Sequence, residues 1–136
     1  MERPWRIGIV GYSQDKFDHA KATRILQEAL DLRAITHPES EVVSGYTDMG
    51  VPGIAYRVAQ QVGMSTVGIA CEKASEHPCF PCDKVIIEGD EWGDESPTFL
   101  KYIDEMVKVG GGKQSIAEYE KFDGPKEEFE LEWYGD

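Results

Sequence analysis

The sequence predicts an α/β protein with a Rossmann-like, doubly wound parallel sheet of about five strands. Short apolar runs alternate with segments whose apolar residues recur at helical spacing. These runs are too short for anything but strands, and glycine-bearing or polar turns follow several of them. Such βαβ units are right-handed, with helices on both faces of the sheet and ligands at the carboxyl ends of the strands.

The first half of the chain contains two strands and two helices. Residues 6–12 (RIGIVGY) form the first strand, and a polar turn leads to a helix over 17–32 with one apolar stripe. Residues 41–44 (EVVS) form the second strand. A helix over 51–61 follows, because Pro52 fits the start of a helix, where its missing N–H costs nothing.

The second half adds three strands. Residues 65–71 and 84–88 are the third and fourth strands, joined by a polar loop that contains prolines. A helix over 97–105 leads to a fifth strand over 106–109, which ends directly before three consecutive glycines. A further helix opens at Ser115.

The acidic tail over residues 122–136 has a different pattern. Phe129, Leu131 and Trp133 alternate with glutamates, and a period of two predicts an additional, half-exposed edge strand. A disordered acidic tail is the alternative.

Composition excludes several classes of partner. The chain has 136 residues, 3 cysteines and a net charge of −12. One domain over residues 1–136 can bury a core at this length. The charge opposes nucleic-acid binding, and no apolar run approaches the roughly 18 to 20 residues of a membrane span. The odd number of cysteines and the lack of a signal peptide predict a cytoplasmic protein.

The glycine run after the fifth strand predicts an anion-binding turn. Backbone without side chains lets a ligand approach closely, and the following helix points its positive end at that ligand. The alternative is a tight strand-to-helix turn, with Ser115 and Glu118 forming a capping box. The N–H groups expected to face a phosphate belong to Gly111, Gly112, Lys113, Gln114 and Ser115.

The turns after the first two strands are expected at the same edge of the sheet. Their polar side chains can contact a ribose or a base, and Tyr12 and Tyr46 can stack on a base. The alternative is that they form turns and pack locally. The candidates are Gly11, Ser13 and Gln14 after the first strand, and Gly45, Tyr46, Thr47 and Asp48 after the second.

Three segments resemble the LOG superfamily, the lysine decarboxylase-like proteins that include SLOG nucleotide sensors and molybdenum cofactor carrier proteins. The family motif PGGxGTxxE aligns with GGGKQSIAE, and the strand leading into GGGxxGLMG aligns with VVSGYTDMGVPG. The N-terminal strand and turn align with IGIVGYS. The matched motif positions are Gly45, Gly50 and Gly53 in one segment and Gly110, Gly111, Gly112, Gln114, Ser115 and Glu118 in the other.

The resemblance implies a Rossmann-like fold, a homodimer, and a nucleotide or phosphate-bearing cofactor as ligand. In the phosphoribohydrolase members, an arginine about fifteen residues before the motif works with the motif glutamate. That position falls on Glu95 here. A carrier or sensor without catalysis is therefore the expected function, and Glu118 is catalytic only under the alternative, a nucleoside 5′-monophosphate phosphoribohydrolase.

Two further features suggest other properties. Cys79 and Cys82 form a CxxC motif, with Cys71 and His77 nearby, so a metal or redox protein is a second alternative to chance cysteines in a loop. Large side chains around the third helix can serve a dimer interface, because a small core has limited room for them. These are Trp92, Phe99 and Tyr102.

Overall fold

A computed structural model describes residues 3–135 of the chain, so Met1, Glu2 and Asp136, the last residue of the acidic tail, lie outside it. Within that range, six strands form one sheet: β1 (Trp5–Gly11), β2 (Ser40–Ser44), β3 (Ser65–Ala70), β4 (Lys84–Ile87), β5 (Glu105–Val109) and β6 (Lys126–Phe129). The helices are α1 (His19–Thr36), α2 (Gly50–Gln61), α3 (Ser96–Tyr102), α4 (Lys113–Lys121) and a 3-10 helix (Glu72–Glu76).

All strand pairs are parallel, in the order β4-β3-β2-β1-β5-β6. The chain moves outward from β1 to β4 on one side and then crosses back to place β5 on the other side of β1. The direction of winding therefore changes between β1 and β5, where Gly11 lies opposite Val109. Ligands of open α/β sheets bind at this kind of switch point. The predicted fold class is confirmed.

Helices cover both faces of the sheet. On one face, α1 and α2 bury Leu26, Leu30 and Tyr56 against Ile7 and Ile9 of β1. α1 begins where the Asp18 carboxylate accepts a hydrogen bond from the Lys21 N–H, which is the preferred chemistry for a helix start. None of the described helices is long and apolar enough to cross a membrane.

The second face is packed by α3 and by the segment after α4. Phe99, 4% exposed, joins Val67 and Met106 in this core. Tyr102 is half-buried, and its ring lies 3.7 Å from the Arg6 guanidinium carbon. Phe99 therefore fits within the core, and of the three large side chains that were not all expected to fit there, Trp92 is the exposed one, at 49%.

The helix predicted over residues 97–105 ends three residues earlier in the structure. α3 stops at Tyr102, because the Asp104 N–H donates to the Arg6 carbonyl and the chain is already extended there. β5 consequently begins at Glu105.

The tail forms an edge strand, and its apolar residues alternate with exposed glutamates as predicted, but the strand ends at Phe129. β6 covers Lys126–Phe129 and pairs in parallel with β5. Leu131 and Trp133 follow the strand. Leu131 is 5% exposed within the α1 and α2 face of the core, so the tail folds over the end of the sheet instead of extending along its edge.

Two glycines around α2 provide a test of the close approach between α2 and the turn after β1. Gly50 has φ 61°, and a Cβ there would lie 2.2 Å from the Tyr12 carbonyl oxygen. Gly63 has φ 78° but open space around it. Gly50→Ala is expected to lower the free energy of unfolding by about 1–3 kcal/mol more than Gly63→Ala, since only the former adds a steric clash. Urea denaturation measures the difference, and equal losses in the two variants would contradict the packing described.

Candidate ligand-binding site

A cleft of about 850 Å³ opens at the carboxyl ends of β1, β2 and β5, at the switch point. Its volume is typical of sites for small molecules and cofactors. Most of the residues predicted to bind a ligand line it together: Gly11, Ser13, Gln14, Gly45, Thr47, Gly111, Gly112, Lys113, Gln114 and Ser115, with Glu118 behind them.

The glycine turn enters the cleft in a conformation that suits glycine. Gly110 and Gly111 have φ 61° and 130°, and a Cβ on Gly111 would lie 2.8 Å from that of Ser115. Gly112 has an ordinary φ of −90° and open space around it. The turn thus brings bare backbone into the cleft at Gly111 and Gly112.

Helix α4 begins at Lys113, two residues earlier than predicted, with Gly112 as its N-cap. No side chain caps this end, so the first N–H groups of α4 have no partner within the helix or from a cap. The Ser115 hydroxyl donates instead to the Gly11 carbonyl at 2.9 Å. The capping-box alternative for Ser115 and Glu118 is therefore wrong. Ser115 ties the turn to β1, and no described side chain caps the N-terminus of α4.

Five of the predicted residues lie outside the cleft, among them Asp48, which forms an ion pair with Arg57 beside the second pocket described below. The Tyr46 ring packs beside Gly68 of β3. Gly110 packs against the Tyr12 ring, and its N–H donates to the Phe129 carbonyl. Gly50 and Gly53 face a second, smaller pocket between α1 and α2, where the Gly50 N–H donates to the Asp15 carboxylate. The two α2 glycines lie there because α2 is packed against the turn after β1.

Two buried carboxylates form the inner wall of the cleft. Glu118 accepts hydrogen bonds from the Ser96 hydroxyl at 2.6 Å and from the Gln114 amide at 3.3 Å. The same amide donates to Glu95 at 3.0 Å, and Glu95 also accepts from the Gly93 N–H. Glu95 and Glu118 are 7% and 8% exposed. Gln114, which takes the position of the third family glycine, thus joins the two acids.

The pKa of the Glu118 carboxyl is raised above its ordinary 4.5, chiefly because burial disfavours the charged form, and the charge of Glu95 adds to this. Hydrogen bonds from Ser96 and Gln114 oppose the rise. Among the described residues that line the cleft, Lys113 is the one with a permanent positive charge. Glu95, which aligns with the arginine of the phosphoribohydrolase members, is an acid, and it faces a second acid, Glu118, across the Gln114 amide.

Aromatic side chains at the rim of the cleft were not predicted as site residues. Trp133 lies 4.8 Å from the Tyr12 ring, and the Tyr12 hydroxyl donates to the Leu131 carbonyl. On the other side, Trp92 lies 5.8 Å from His77 and is 49% exposed. Other lining residues that the motifs missed are Ser44, Met49, Pro52, Ile69, Glu95 and Phe99. Of these residues, Glu95 is the one that the sequence marked as functionally interesting, because it aligns with the arginine of the phosphoribohydrolase members.

The cysteines do not form a reactive or metal-binding group in the described part of the chain. All three are free, and no group of three or more His, Cys, Asp or Glu side chains is placed to hold a metal ion. The Cys79 thiol donates to the Ala74 carbonyl at 3.3 Å. Burial raises the pKa of the Cys82 thiol to about 11, so it is protonated at neutral pH and a poor nucleophile.

No family model and no curated protein matches the chain. Solved structures do. The molybdenum cofactor carrier protein of Chlamydomonas reinhardtii superposes with a TM-score of 0.73 and 19% identity over 93% of this chain and 76% of that one. The molybdenum cofactor binding protein of the phototrophic bacterium Rippkaea orientalis superposes with a TM-score of 0.74 and 21% identity, over 96% of this chain and 78% of that one. The chain has the fold of molybdenum cofactor carrier proteins. The resemblance stated from the motifs is confirmed for the fold.

The raised pKa of Glu118 predicts how the carrier-like fold responds to pH. The folded protein keeps the Glu118 proton at pH values where the unfolded chain has lost it, so stability falls as pH rises from 4.5 through the raised pKa. Glu118→Gln cannot ionise and keeps an acceptor for Ser96. The variant is expected to be more stable than the wild type at neutral pH, with a difference that shrinks towards pH 4.5.

Urea denaturation at a series of pH values measures this difference. Glu120→Gln, on the exposed surface of α4, is the control for loss of one negative charge. A Glu118→Gln protein that is less stable than the wild type at neutral pH would contradict the burial argument.

Proposed function

We propose that the cleft binds a small phosphate-bearing ligand without converting it, and that the protein is a carrier or sensor for that ligand. The observation that carries the proposal is the uncapped N-terminus of α4, which begins at a glycine turn on the switch point of the sheet. Bare N–H groups and the positive end of a helix form an anion site, and Lys113 adds a charge at the same place. This local potential opposes the net charge of −12.

The rim of the cleft supports a flat, partly aromatic ligand. A phosphate at Gly112 and Lys113 leaves the remaining volume between Trp92 and Trp133 for a ring system. A nucleotide has this form, and so does the molybdenum cofactor, a phosphate-bearing pterin that the neighbouring carrier proteins bind. We therefore propose a nucleotide or a pterin cofactor as ligand. The free cysteines fit the reducing cytoplasm, where we place the protein as a single-domain carrier.

Binding without catalysis follows from the two acids. Cleavage of a glycosidic bond develops positive charge on the sugar and negative charge on the departing base. In the phosphoribohydrolases that the chain resembles, an arginine accompanies the motif glutamate, whereas Glu118 here faces Glu95 through Gln114. The pair can accept hydrogen bonds from amino or hydroxyl groups of a bound ligand. We assign that positioning role to it.

Ligand-dependent melting tests the anion site. Nucleoside monophosphates or a pterin phosphate are expected to raise the melting temperature of the wild type, since binding to the folded state contributes about 2.7 kcal/mol at a hundredfold excess over the dissociation constant. Gly112→Val adds a side chain in open space, so the fold should be retained and the shift lost. Gly111→Val is less suitable, because φ at Gly111 is positive.

A matched pair of lysines on α4 serves as control. Lys113→Gln is expected to weaken the response, while Lys121→Gln, at the other end of the helix, leaves it unchanged. A full panel without any shift in the wild type, or equal effects of the two lysine variants, would argue against the proposed site.

Release of free base from nucleoside monophosphates is expected to be negligible. Loss of one preorganised electrostatic partner typically costs about 3 to 4 kcal/mol, or two to three orders of magnitude in rate, and a carboxylate in its place costs more. A chromatographic assay of adenine from AMP measures this, with Glu118→Ala as the control. Turnover near the enzyme median of about ten per second that disappears in Glu118→Ala would establish the phosphoribohydrolase instead.

A further inference from the structure

The inner wall of the cleft, formed by Glu95, Gln114 and Glu118 with Ser96 behind them, uses all its side-chain donors within itself. The Gln114 amide nitrogen donates to Glu95 at 3.0 Å and to Glu118 at 3.3 Å. The Ser96 hydroxyl donates to Glu118 at 2.6 Å. Because an ionised carboxylate only accepts, these partners also fix which end of the amide faces them. The wall therefore has no side-chain donor left for a ligand.

Acceptor positions in the same wall are still open. A carboxylate has about four lone-pair positions. Glu95 accepts one hydrogen bond at each oxygen, from Gly93 and Gln114, whereas both bonds to Glu118 end on Oε2. Within the described residues, the one fully enclosed side-chain nitrogen or oxygen without a partner is Arg33 Nε. Glu118 Oε1 also has no partner, so it keeps contact with the cleft that Glu118 lines.

An acceptor-only wall selects the hydrogen-bonding character of the ligand. A keto oxygen or a ring nitrogen with a lone pair, placed against a carboxylate, leaves two buried acceptors facing each other, which is unfavourable. Two donors side by side, such as an amino group next to a ring N–H, meet the wall without this conflict. Glu95 and Glu118 lie within hydrogen-bond distance of one Gln114 nitrogen, so their oxygens are close enough together to face neighbouring donors of one ring.

The position of Glu95 favours an aromatic ring over a sugar as the source of those donors. Its carboxylate accepts a hydrogen bond from the N–H of Gly93, directly after Trp92, and its backbone carbonyl accepts one from the N–H of Phe99. Trp92 and Phe99 both line the cleft. The carboxylate thus belongs to a segment that also supplies two aromatic side chains, against which a flat ring can pack. A ribose diol is the alternative group for the two acids.

We propose that Glu95 and Glu118 recognise the edge of a 2-amino-4-oxopyrimidine ring, where an amino group lies next to a ring N–H. This inference rests on the proposed phosphate site and narrows its ligand. Guanine nucleotides and pterin phosphates carry this edge. Adenine has an amino group next to a ring nitrogen with a lone pair, and hypoxanthine has the ring N–H without the amino group. The two acids are then specificity-determining residues of the cleft.

Isothermal titration calorimetry with matched ligand pairs tests the assignment. GMP and IMP differ only in the 2-amino group, and in the lumazine counterpart of 6-hydroxymethylpterin phosphate an oxo group replaces that amino group. In at least one pair, the amino compound is expected to bind about 10- to 100-fold more tightly than its partner, since a missing donor leaves a buried acceptor unpaired. The pair that shows this preference identifies the ring as guanine or pterin. AMP is expected to bind as weakly as IMP.

Two variants of the wall should remove the preference. Glu95→Gln and Glu118→Gln keep an oxygen that can accept from Gln114, but each adds an amide N–H to the wall, so the preference should fall to within about threefold. Glu120→Gln, on the exposed surface of α4, removes the same charge outside the cleft and should leave the preference unchanged. Circular dichroism melting verifies that each variant is folded.

The outcomes separate this inference from the phosphate site on which it rests. Equal affinities within both pairs, with binding that Lys113→Gln weakens, would overturn the ring-edge assignment and leave the phosphate site in place. Equal affinities together with loss of binding for 2′-deoxy-GMP would assign the acids to the ribose instead. A preference that persists in both Gln variants would contradict the role of the acids. No binding of any phosphorylated compound would overturn the phosphate site and this inference with it.

Discussion

The carboxyl end of β1 leaves no room for side chains, and this steric constraint organises the rest of the structure. A Cβ on Gly11 would lie 2.4 Å from the Val109 carbonyl oxygen, and one on Gly50 would lie 2.2 Å from the Tyr12 carbonyl oxygen. A Cβ on Gly110 would meet the Tyr12 ring at 2.4 Å. Three chain segments therefore approach one another at positions where glycine leaves out a side chain. The cleft exists because they meet at the point where the winding of the sheet reverses.

Opposite electrostatic features lie next to each other in this cleft. The N-terminus of α4 supplies N–H groups without a cap, while Glu95 and Glu118 supply buried carboxylates in the wall of the same cleft. The helix end attracts an anion, and the acids accept hydrogen bonds from neutral donor groups. A ligand with a phosphate at one end and amino groups at the other matches both. At the position where the resembling phosphoribohydrolases carry an arginine, this cleft carries Glu95.

Much of the fold could be predicted because local patterns determine it. Apolar runs of four to seven residues identified the first five strands, and glycine-bearing or polar turns followed several of them. The start of α4 could not be predicted, because Gly112 gives no capping signal and Ser115 bonds to Gly11 instead. That bond joins residues 104 positions apart in the chain. No local pattern contains it.

The sequence predicted the residues whose backbone lines the cleft. It missed the side chains that reach the cleft from distant parts of the chain. Gly111, Gly112 and Lys113 follow directly from the glycine run. Trp133 reaches the cleft only because the tail folds over Tyr12, and Trp92 arrives through a loop with no motif. Gly50 and Gly53 matched a family motif, yet close packing of α2 turns them towards a second pocket. Tertiary packing thus decides which matched residues face the cleft.

The central claim, an anion held by the backbone at the start of α4, is tested most directly by amide NMR. Spectra of the ¹⁵N-labelled protein are recorded during titration with a nucleoside monophosphate or pterin phosphate, with the unphosphorylated nucleoside or pterin as control. The largest amide shifts are expected at Gly111, Gly112 and Lys113, and only with the phosphorylated compound. Shifts of equal size without the phosphate, or shifts confined to the pocket between α1 and α2, would contradict it.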